Sequence, residues 1–300
     1  MAIQTIEVRT ADGQTLVADV REPEAERTKG VVILAHALFA RRTEFERPRG
    51  DGLARLFARA GYVTVAFDFR GHGESGPGVR SGAGWSYDDL VRADLPAVTS
   101  CAKSRYPDLP VVVVGHSLGG HVALASQATG ALSADALVLV AANVWMRHLE
   151  ASTRTWVTKR AIAEALVVFS RRLGYLPARA LRLGSDDEGA SLLLSLVRTT
   201  RLGRWTSDDG RVDYGAAVGT IGVPVATVTS TGDRLLCTPA CGERMVRAVR
   251  GPRLSERVTR CDDGAPAPGH MELVTSGRVR QVYRRVVVWL ERVLAGPTLE

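Results

Sequence analysis

The sequence predicts an α/β fold, a mostly parallel β-sheet with helices on both faces. Three observations predict it. Short apolar runs alternate with helical patterns along most of the 300 residues, which is typical of parallel sheets. One apolar run, residues 111–114, leads through the pentapeptide GHSLG directly into a helical pattern. Polar residues follow several of the apolar runs, at the strand ends where functional sites of such sheets lie.

The first half of the chain supplies most of the predicted sheet. Strands 3–9 and 16–21 flank Asp12-Gly13, a frequent hairpin turn. Ser86 and Asp89 form a predicted capping box for a helix that runs to about Arg105, with a kink near Pro96. The other predicted elements of this half are strands 31–36, 63–67, 111–114 and 136–142 and helices 51–60 and 118–128.

The alternation of strands and helices stops near residue 143 and resumes near residue 222. Between these positions the pattern is helical. One helix is predicted to end at Gly174, and another to begin at a capping box in residues 185–188. Strands 223–229 and 254–258 and helices 239–249 and 276–294 complete the chain. We therefore predict an α/β core, residues 1–142 and 222–300, interrupted by a helical cap, residues 143–221.

The serine of the GHSLG pentapeptide is the candidate nucleophile. A strand, Gly-x-Ser-x-Gly turn and helix expose the serine hydroxyl at the top of a sheet. Bulky side chains at Gly115 and Gly119 would clash within such a turn. A serine hydroxyl becomes a good nucleophile only when a base removes its proton and a third group orients that base. Ser117 therefore needs two partners.

Chain order selects those partners. In folds with this turn, the acid follows the serine and the histidine follows the acid. His270 is the only histidine late enough in the chain, and Asp233 follows an apolar run that predicts a strand. Asp262 and Asp263 are alternatives for the acid, although no strong strand directly precedes them. The predicted catalytic set is thus Ser117, Asp233 and His270.

Two backbone N–H groups are predicted to bind the negative oxygen of the transition state. One belongs to Leu118, the residue after the nucleophile. The other belongs to the loop after strand 31–36, where Leu38 is the first choice and Ala37 the alternative. We interpret His36 in the same loop as a structural turn residue without a catalytic role.

At these positions the chain resembles the capped α/β-hydrolases of the esterase, lipase and serine-aminopeptidase-like group. The matching stretches are ILAHAL (33–38), DFRGHGES (68–75), GHSLGG (115–120), TGD (231–233) and GHMEL (269–273). The resemblance implies the α/β-hydrolase fold and covers the core on both sides of the insertion. A serine at 117 separates the chain from dehalogenases and epoxide hydrolases, which use aspartate there. The family usually has glycine where Ala37 stands, and homoserine acyltransferases have a similar His-Ala-Leu, so the acyl acceptor stays open.

The cap is expected to choose the substrate. Apolar residues at helical spacing predict a mainly hydrophobic roof over Ser117, and the predicted substrate-binding residues are Phe39, Trp156, Phe169 and Leu193. Such a roof favours short or medium apolar acyl groups. Between Arg147 and Arg204, however, the sequence has eleven basic residues and only five acidic ones. This surplus indicates either a solvated helix face or a lid that attracts anionic acyl groups.

Composition excludes several functional classes. The chain is 45% hydrophobic with a net charge of +7, an ordinary globular balance, and no nucleic-acid motif accompanies the charge. Its four cysteines form no metal pattern and are expected to be reduced thiols. No secretory signal or membrane span is recognised. We expect a cytoplasmic protein with no cofactor, no metal and no stable membrane insertion; oligomeric state is not predicted.

The function predicted from these residues is hydrolysis of a carboxylic ester, or of a thioester, through an acyl-enzyme on Ser117. The expected partner is a small acyl ester. Two alternatives use the same fold. An acyltransferase would pass the acyl group to a second substrate instead of water, and a ligand-binding protein would keep only the cavity.

Overall fold

The computed structural model describes residues 3–295, so residues 1–2 and 296–300 of the predicted core lie outside the description. The strands are β1 (Ile3–Arg9), β2 (Thr15–Arg21), β3 (Gly30–Ala35), β4 (Tyr62–Phe67), β5 (Val111–His116), β6 (Ala136–Val140), β7 (Tyr175–Leu176), β8 (Glu188–Gly189), β9 (Val225–Ser230) and β10 (Arg253–Val258). Eight of them form one sheet in the order β1-β2-β4-β3-β5-β6-β9-β10. Within this sheet, as described over residues 3–295, only the pairs β1–β2 and β2–β4 are antiparallel, which confirms the predicted mostly parallel sheet.

Helices cover both faces of this sheet. They are α1 (Leu53–Arg59), α2 (Tyr87–Asp89), α3 (Leu95–Arg105), α4 (Leu118–Ala128), α5 (Thr153–Leu173), α6 (Ala190–Leu202), α7 (Tyr214–Ala217), α8 (Pro239–Met245), α9 (Glu272–Thr275) and α10 (Arg280–Leu294). Alternate side chains of a strand point to opposite faces. In β3, Val31 and Ile33 join the apolar cluster with α3 and α4, whereas Val32 and Leu34 join the cluster with α1 and α10. None of the helices in residues 3–295 is long and apolar enough to cross a membrane.

The helix that begins after Ser86 differs from its prediction. The capping box is present, since Ser86 and Asp89 each accept a hydrogen bond from the other's backbone N–H. The expected irregularity near Pro96 takes the form of a π-helical turn over Leu90–Asp94, directly before α3. Pro96 lies in the first turn of α3. A bend of the helix axis at this point stays a prediction.

Residues 143–221 hold α5, the β7–β8 ribbon, α6 and α7 between β6 and β9. α5 ends at Gly174, whose φ of +79° is the left-handed conformation that glycine adopts readily. Ala163 and Val167 of α5 pack with Leu193 and Val197 of α6 in a small apolar cluster. These are the elements expected of a cap, and their role over the serine stays a prediction.

The predicted capping box in residues 185–188 is wrong. α6 begins at Ala190, and its N-terminal flanking residue, Gly189, offers no side-chain cap. The acidic side chains are engaged elsewhere, because each pairs with a basic residue of the core. The pairs are Asp186 with Arg41, Asp187 with Arg80 and Glu188 with His72. Three consecutive acids therefore fasten the insertion to the core.

The innermost of these pairs is fully buried. His72 Nε2 lies 3.2 Å from Glu188 Oε2, and both side chains are almost inaccessible. The other carboxylate oxygen accepts hydrogen bonds from the Trp85 indole and the Gly189 backbone at 3.0 and 2.8 Å. Burial by itself lowers the pKa of His72, but the Glu188 carboxylate outweighs it and raises that pKa to about 8.

We expect His72 to link stability to pH. Because its folded pKa lies above the unfolded value of about 6.5, its stabilisation is fully present below about pH 6.5 and is lost as pH rises through about 8. The shift corresponds to on the order of 2 kcal/mol. Denaturant unfolding of wild type should show this loss, and His72→Gln should not. His148→Gln, at an exposed position, is the control; an unchanged pH dependence in His72→Gln would contradict the linkage.

Candidate active site

Ser117 lies in a strained turn between two buried elements. It connects the end of β5 to the start of α4 and has φ +50° and ψ −110°. A Cβ added at Gly115 would lie 2.5 Å from the Gly119 backbone, and one at Gly119 would lie 2.2 Å from the Ala35 carbonyl oxygen. The predicted need for small residues on either side of the serine is therefore confirmed. The turn leaves Ser117 half-buried at the carboxyl edge of the sheet.

Asp233 and His270 are in direct contact. The Nδ1–H of His270 donates to Asp233 Oδ2 over 2.5 Å, and the two side chains are 10% and 2% exposed. The Asp233 carboxylate also accepts hydrogen bonds from the backbone N–H groups of Leu236 and Cys237, both at 2.9 Å. These contacts fix Asp233 just beyond the end of β9.

The alternative acids turn away from His270. Asp262 accepts a hydrogen bond from the Gln281 backbone, and Asp263 pairs with Arg278 at the surface. Of the three carboxylates that the sequence left open, Asp233 is the one that the fold brings to the histidine.

The environment shifts both pKa values in the same direction. Burial opposes the charged form of Asp233, but the His270 side chain and two backbone N–H groups hold the pKa of its carboxyl below the ordinary value. Burial lowers the pKa of His270; the hydrogen bond to Asp233 offsets part of this effect, and nearby His116 adds to it. His270 is therefore held neutral, with Nδ1 protonated towards Asp233 and Nε2 able to accept a proton.

Ser117 and His270 are not joined by a hydrogen bond. Among residues 3–295, the Ser117 hydroxyl has no hydrogen-bond partner. The neighbouring side chain does reach the histidine loop, since His116 Nε2 lies 3.3 Å from the His270 carbonyl oxygen. Catalytic hydrogen bonds in unliganded enzymes are often long and form when substrate binds.

The contacts of the loop after β3 distinguish between its two candidate oxyanion donors, the N–H groups of Ala37 and Leu38. The Ala37 N–H already donates to Glu44 Oε1 at 3.1 Å. Within the described residues, the N–H groups of Leu38 and Leu118 make no hydrogen bond, and the first N–H groups of a helix such as α4 have no partner inside it. The Gly119 N–H donates to the His36 carbonyl at 3.1 Å and ties this loop to the serine turn. Leu38 is thus the available donor of the loop.

His36 fixes the peptide unit that contains the Leu38 N–H. Its Nε2 accepts a hydrogen bond from the Phe69 N–H at 3.0 Å, so its Nδ1 carries the proton and donates to the Ala37 carbonyl at 2.8 Å. Burial lowers the pKa of His36 to about 3, which keeps the ring neutral. Because the peptide unit is planar and trans, fixing the Ala37 carbonyl points the Leu38 N–H in the opposite direction. The contacts agree with the interpretation of His36 as a structural residue.

Two buried residues near the site had no role in the sequence analysis. Glu44 and His116 face each other, with His116 Nδ1 3.1 Å from Glu44 Oε1. They are 72 positions apart in the chain. No local pattern marks an acid that folds back over such a distance, although His116 stands beside Ser117 in the motif.

The four predicted substrate-binding residues occupy different environments. Leu193 is buried in the cluster between α5 and α6, against which Leu38 and Phe39 also pack. Trp156 is half-buried on α5, and Phe169 on the same helix is 44% exposed. The Leu38–Phe39 loop therefore contacts the insertion directly. The substrate-binding role of all four residues stays a prediction.

Comparison with known proteins places this geometry in a family. The family model described as "Serine aminopeptidase, S33" matches residues 26–195, more than half of the chain. A monoacylglycerol lipase of Mycolicibacterium smegmatis is 33% identical over 38% of this chain and 37% of its own length. A monoglyceride lipase of Rattus norvegicus is 28% identical over 48% of this chain and 44% of its own length. The matches thus span less than half of the length of these curated relatives.

Solved structures share the fold over nearly the whole chain. An esterase from Exiguobacterium antarcticum superposes with a TM-score of 0.65 at 16% identity, covering 96% of this chain and all of that one. A monoacylglycerol lipase from Paleococcus ferrophilus gives 0.58 at 17% identity, covering 97% and 99%. At such low identity the likeness establishes the α/β-hydrolase fold alone. Together with the family match, it shows that this chain belongs to the serine aminopeptidase, S33, family of α/β-hydrolases.

Proposed function

We propose that this protein is a serine hydrolase that cleaves a carboxylic ester through an acyl-enzyme on Ser117. The observation that carries the proposal is the 2.5 Å hydrogen bond between His270 and Asp233, made by the acid and histidine that follow the strained serine turn in chain order. Family membership and relatives named as lipases and esterases support the same chemistry.

The proposed reaction needs no group beyond these side chains and water. Ser117 Oγ attacks the acyl carbonyl while His270 Nε2 takes its proton. The N–H groups of Leu38 and Leu118 bind the oxyanion. His270 then protonates the departing alcohol, and water attacks the acyl-enzyme by the same route in reverse. Asp233 keeps the imidazole in the required tautomer and stabilises its protonated form. A thioester would react in the same way.

The proposed substrate has an uncharged, apolar acyl group. The cap segment presents the buried cluster around Leu193 to the Leu38–Phe39 loop beside the proposed oxyanion site. Several of its arginines, at positions 154, 160, 171 and 172 of α5, are exposed, which favours a solvated face over an anion-binding pocket. Glycerol monoesters are the first substrates to test, because both curated relatives are named for them.

Acyl transfer is the second candidate. Ala37 stands where this family usually has glycine, and a second substrate could replace water at the acyl-enzyme. Product analysis with and without added alcohols separates transfer from hydrolysis. A binding protein without activity would fail to react with a serine-directed probe.

We expect Ser117→Ala to abolish both turnover and probe labelling. Removing the nucleophile should lower kcat on an aryl ester by about 10⁴-fold or more. A fluorophosphonate should label wild type at Ser117 alone. His148→Ala, at an exposed position in the cap segment, serves as the control. Labelling at a different serine, or turnover within about tenfold of wild type, would end the assignment.

The acid limb of the pH–rate profile should lie below the ordinary histidine pKa of 6.5. Only neutral His270 acts as base, and because its pKa is lowered, the neutral form persists into more acidic solution. The logarithm of kcat/KM on a soluble aryl ester, followed from about pH 4 to about pH 9, gives the midpoint of that limb. A midpoint above 6.5 would contradict the arrangement of burial and charge around His270.

The cap should control acyl length without controlling the chemistry. Leu193→Ala opens space in the cluster beside the Leu38–Phe39 loop, so we expect it to shift the preferred acyl length while turnover of the smallest ester stays within about threefold. Val168→Ala, 57% exposed on α5, is the matched control. Rates across aryl esters of increasing acyl length provide the comparison. A strong, salt-sensitive preference for anionic acyl groups would overturn the apolar roof.

A further inference from the structure

One carboxylate oxygen connects the two halves of the proposed catalytic machinery. Glu44 Oε1 accepts a hydrogen bond from the Ala37 N–H at 3.1 Å and faces His116 Nδ1 at 3.1 Å. Ala37 directly precedes the proposed oxyanion donor Leu38, and His116 directly precedes Ser117. A displacement of Glu44 would therefore affect both neighbours of the reacting centre.

The opposite edge of the His116 ring reaches the base. His116 Nε2 lies 3.3 Å from the carbonyl oxygen of His270, and the two ring centroids are 5.2 Å apart. The same peptide segment holds the imidazole that pairs with Asp233. Contacts thus run from the loop after β3, which carries the proposed oxyanion donor Leu38 and is called the oxyanion loop below, through Glu44 and His116 to the backbone of His270.

The protons in this chain of contacts can be counted for an ionised Glu44. A carboxylate and a carbonyl only accept hydrogen bonds. For His116 to bond to both, each of its ring nitrogens must carry hydrogen. The pair then holds one proton more than a neutral imidazole beside a carboxylate, as an imidazolium and a carboxylate that neutralise each other. Mutual neutralisation is what permits the burial of both side chains, 0% and 5% exposed.

The turn that carries Glu44 is anchored by ion pairs, and one carboxylate oxygen of Glu44 is buried without a hydrogen bond. Its turn, Arg42–Glu46, is anchored by Arg42, which binds the carboxylates of Asp19, Asp68 and Glu74. Within the described residues, the second oxygen, Oε2, is buried without a hydrogen-bond partner. Leaving a buried charged oxygen unpaired is destabilising.

We propose that Glu44 and His116 form a doubly protonated positioning pair that holds the oxyanion loop and the His270 loop in their reactive arrangement. The inference rests on the proposed function, because it assigns a purpose to contacts around that site.

Other titratable groups face this pair from three sides. His36 lies in the oxyanion loop, and burial lowers its pKa to about 3. Tyr283 of α10 donates its hydroxyl to the Leu273 carbonyl, and burial raises its pKa. His270 and Asp233 lie on the remaining side. His36 stays neutral and Tyr283 stays protonated through the working range, which leaves His270 as the group coupled to the pair.

Glu44→Gln tests the pair with the smallest change of shape. A neutral amide cannot support the extra proton on His116. We expect kcat on a soluble aryl ester to fall about 10- to 100-fold with KM within about twofold. Glu46→Gln, on the same turn and paired with Arg21, is the control and should match wild type within about twofold.

Nitrogen NMR of ¹⁵N-histidine-labelled wild type tests the protonation directly, without any activity. The ring signals lost in His116→Gln identify His116. At neutral pH both of its nitrogens should be protonated in wild type, and only one in Glu44→Gln. A single protonated nitrogen in wild type would overturn the proposal, even if Glu44→Gln failed to fold.

The hydrolase function of Ser117 and the positioning role of the Glu44–His116 pair can be refuted separately. If Ser117→Ala abolishes activity but Glu44→Gln keeps wild-type kcat, the positioning pair is refuted and the hydrolase mechanism stands. If Ser117→Ala retains activity, the proposed function is refuted. Doubly protonated His116 would then remain as a measured property without the catalytic purpose proposed for it.

Discussion

The positive φ of Ser117 is the constraint on which the candidate site depends. A buried strand and a buried helix must meet within one residue, and that residue adopts φ +50°. The meeting is possible because Gly119 packs against the backbone of Ala35, where a Cβ would lie 2.2 Å from the carbonyl oxygen. Strain of this kind persists only where the surrounding structure determines it. Here it places the serine, the start of α4 and the loop after β3 within one small region.

The DFRGHGES segment stabilises this region without contributing to the proposed chemistry. Asp68 binds the backbone and side chain of Arg42 and so holds the turn that carries Glu44. Arg70 pairs with Asp94, and Ser75 accepts from the Val17 N–H while donating to the Asp68 carbonyl. His72, from the same segment, meets the insertion. A short polar motif between two elements thus connects the sheet, the N-terminal hairpin, the loop after β3 and the cap segment.

Buried charges in this protein are consistently neutralised by a partner. The pairs Arg42–Asp68, Arg70–Asp94 and Lys159–Glu150 all have buried members, and breaking such a pair costs more than forming it gains. Of the contacts of Asp186, Asp187 and Glu188 with the core, the Glu188–His72 pair is the one with both side chains buried. The insertion also packs into the main apolar core, through residues such as Leu192, Trp205 and Tyr214.

Local sequence determined the sheet, its flanking helices and the serine turn, because apolar runs, helical spacing and paired glycines act over a few residues. Chain order also singled out His270. Contacts between distant segments decided the rest. Asp233, and neither Asp262 nor Asp263, reaches His270. Glu44 occupies the Ala37 N–H and leaves Leu38 available.

The same reason explains the one capping box that failed. Asp186, Asp187 and Glu188 have the composition of a helix start, yet ion pairs with core residues more than a hundred positions away hold them outside the helix. A carboxylate has several possible donors in its own sequence neighbourhood, and only the folded chain determines which donor it meets. Long-range electrostatic pairing is therefore what tertiary structure added to a fold that local patterns had already indicated.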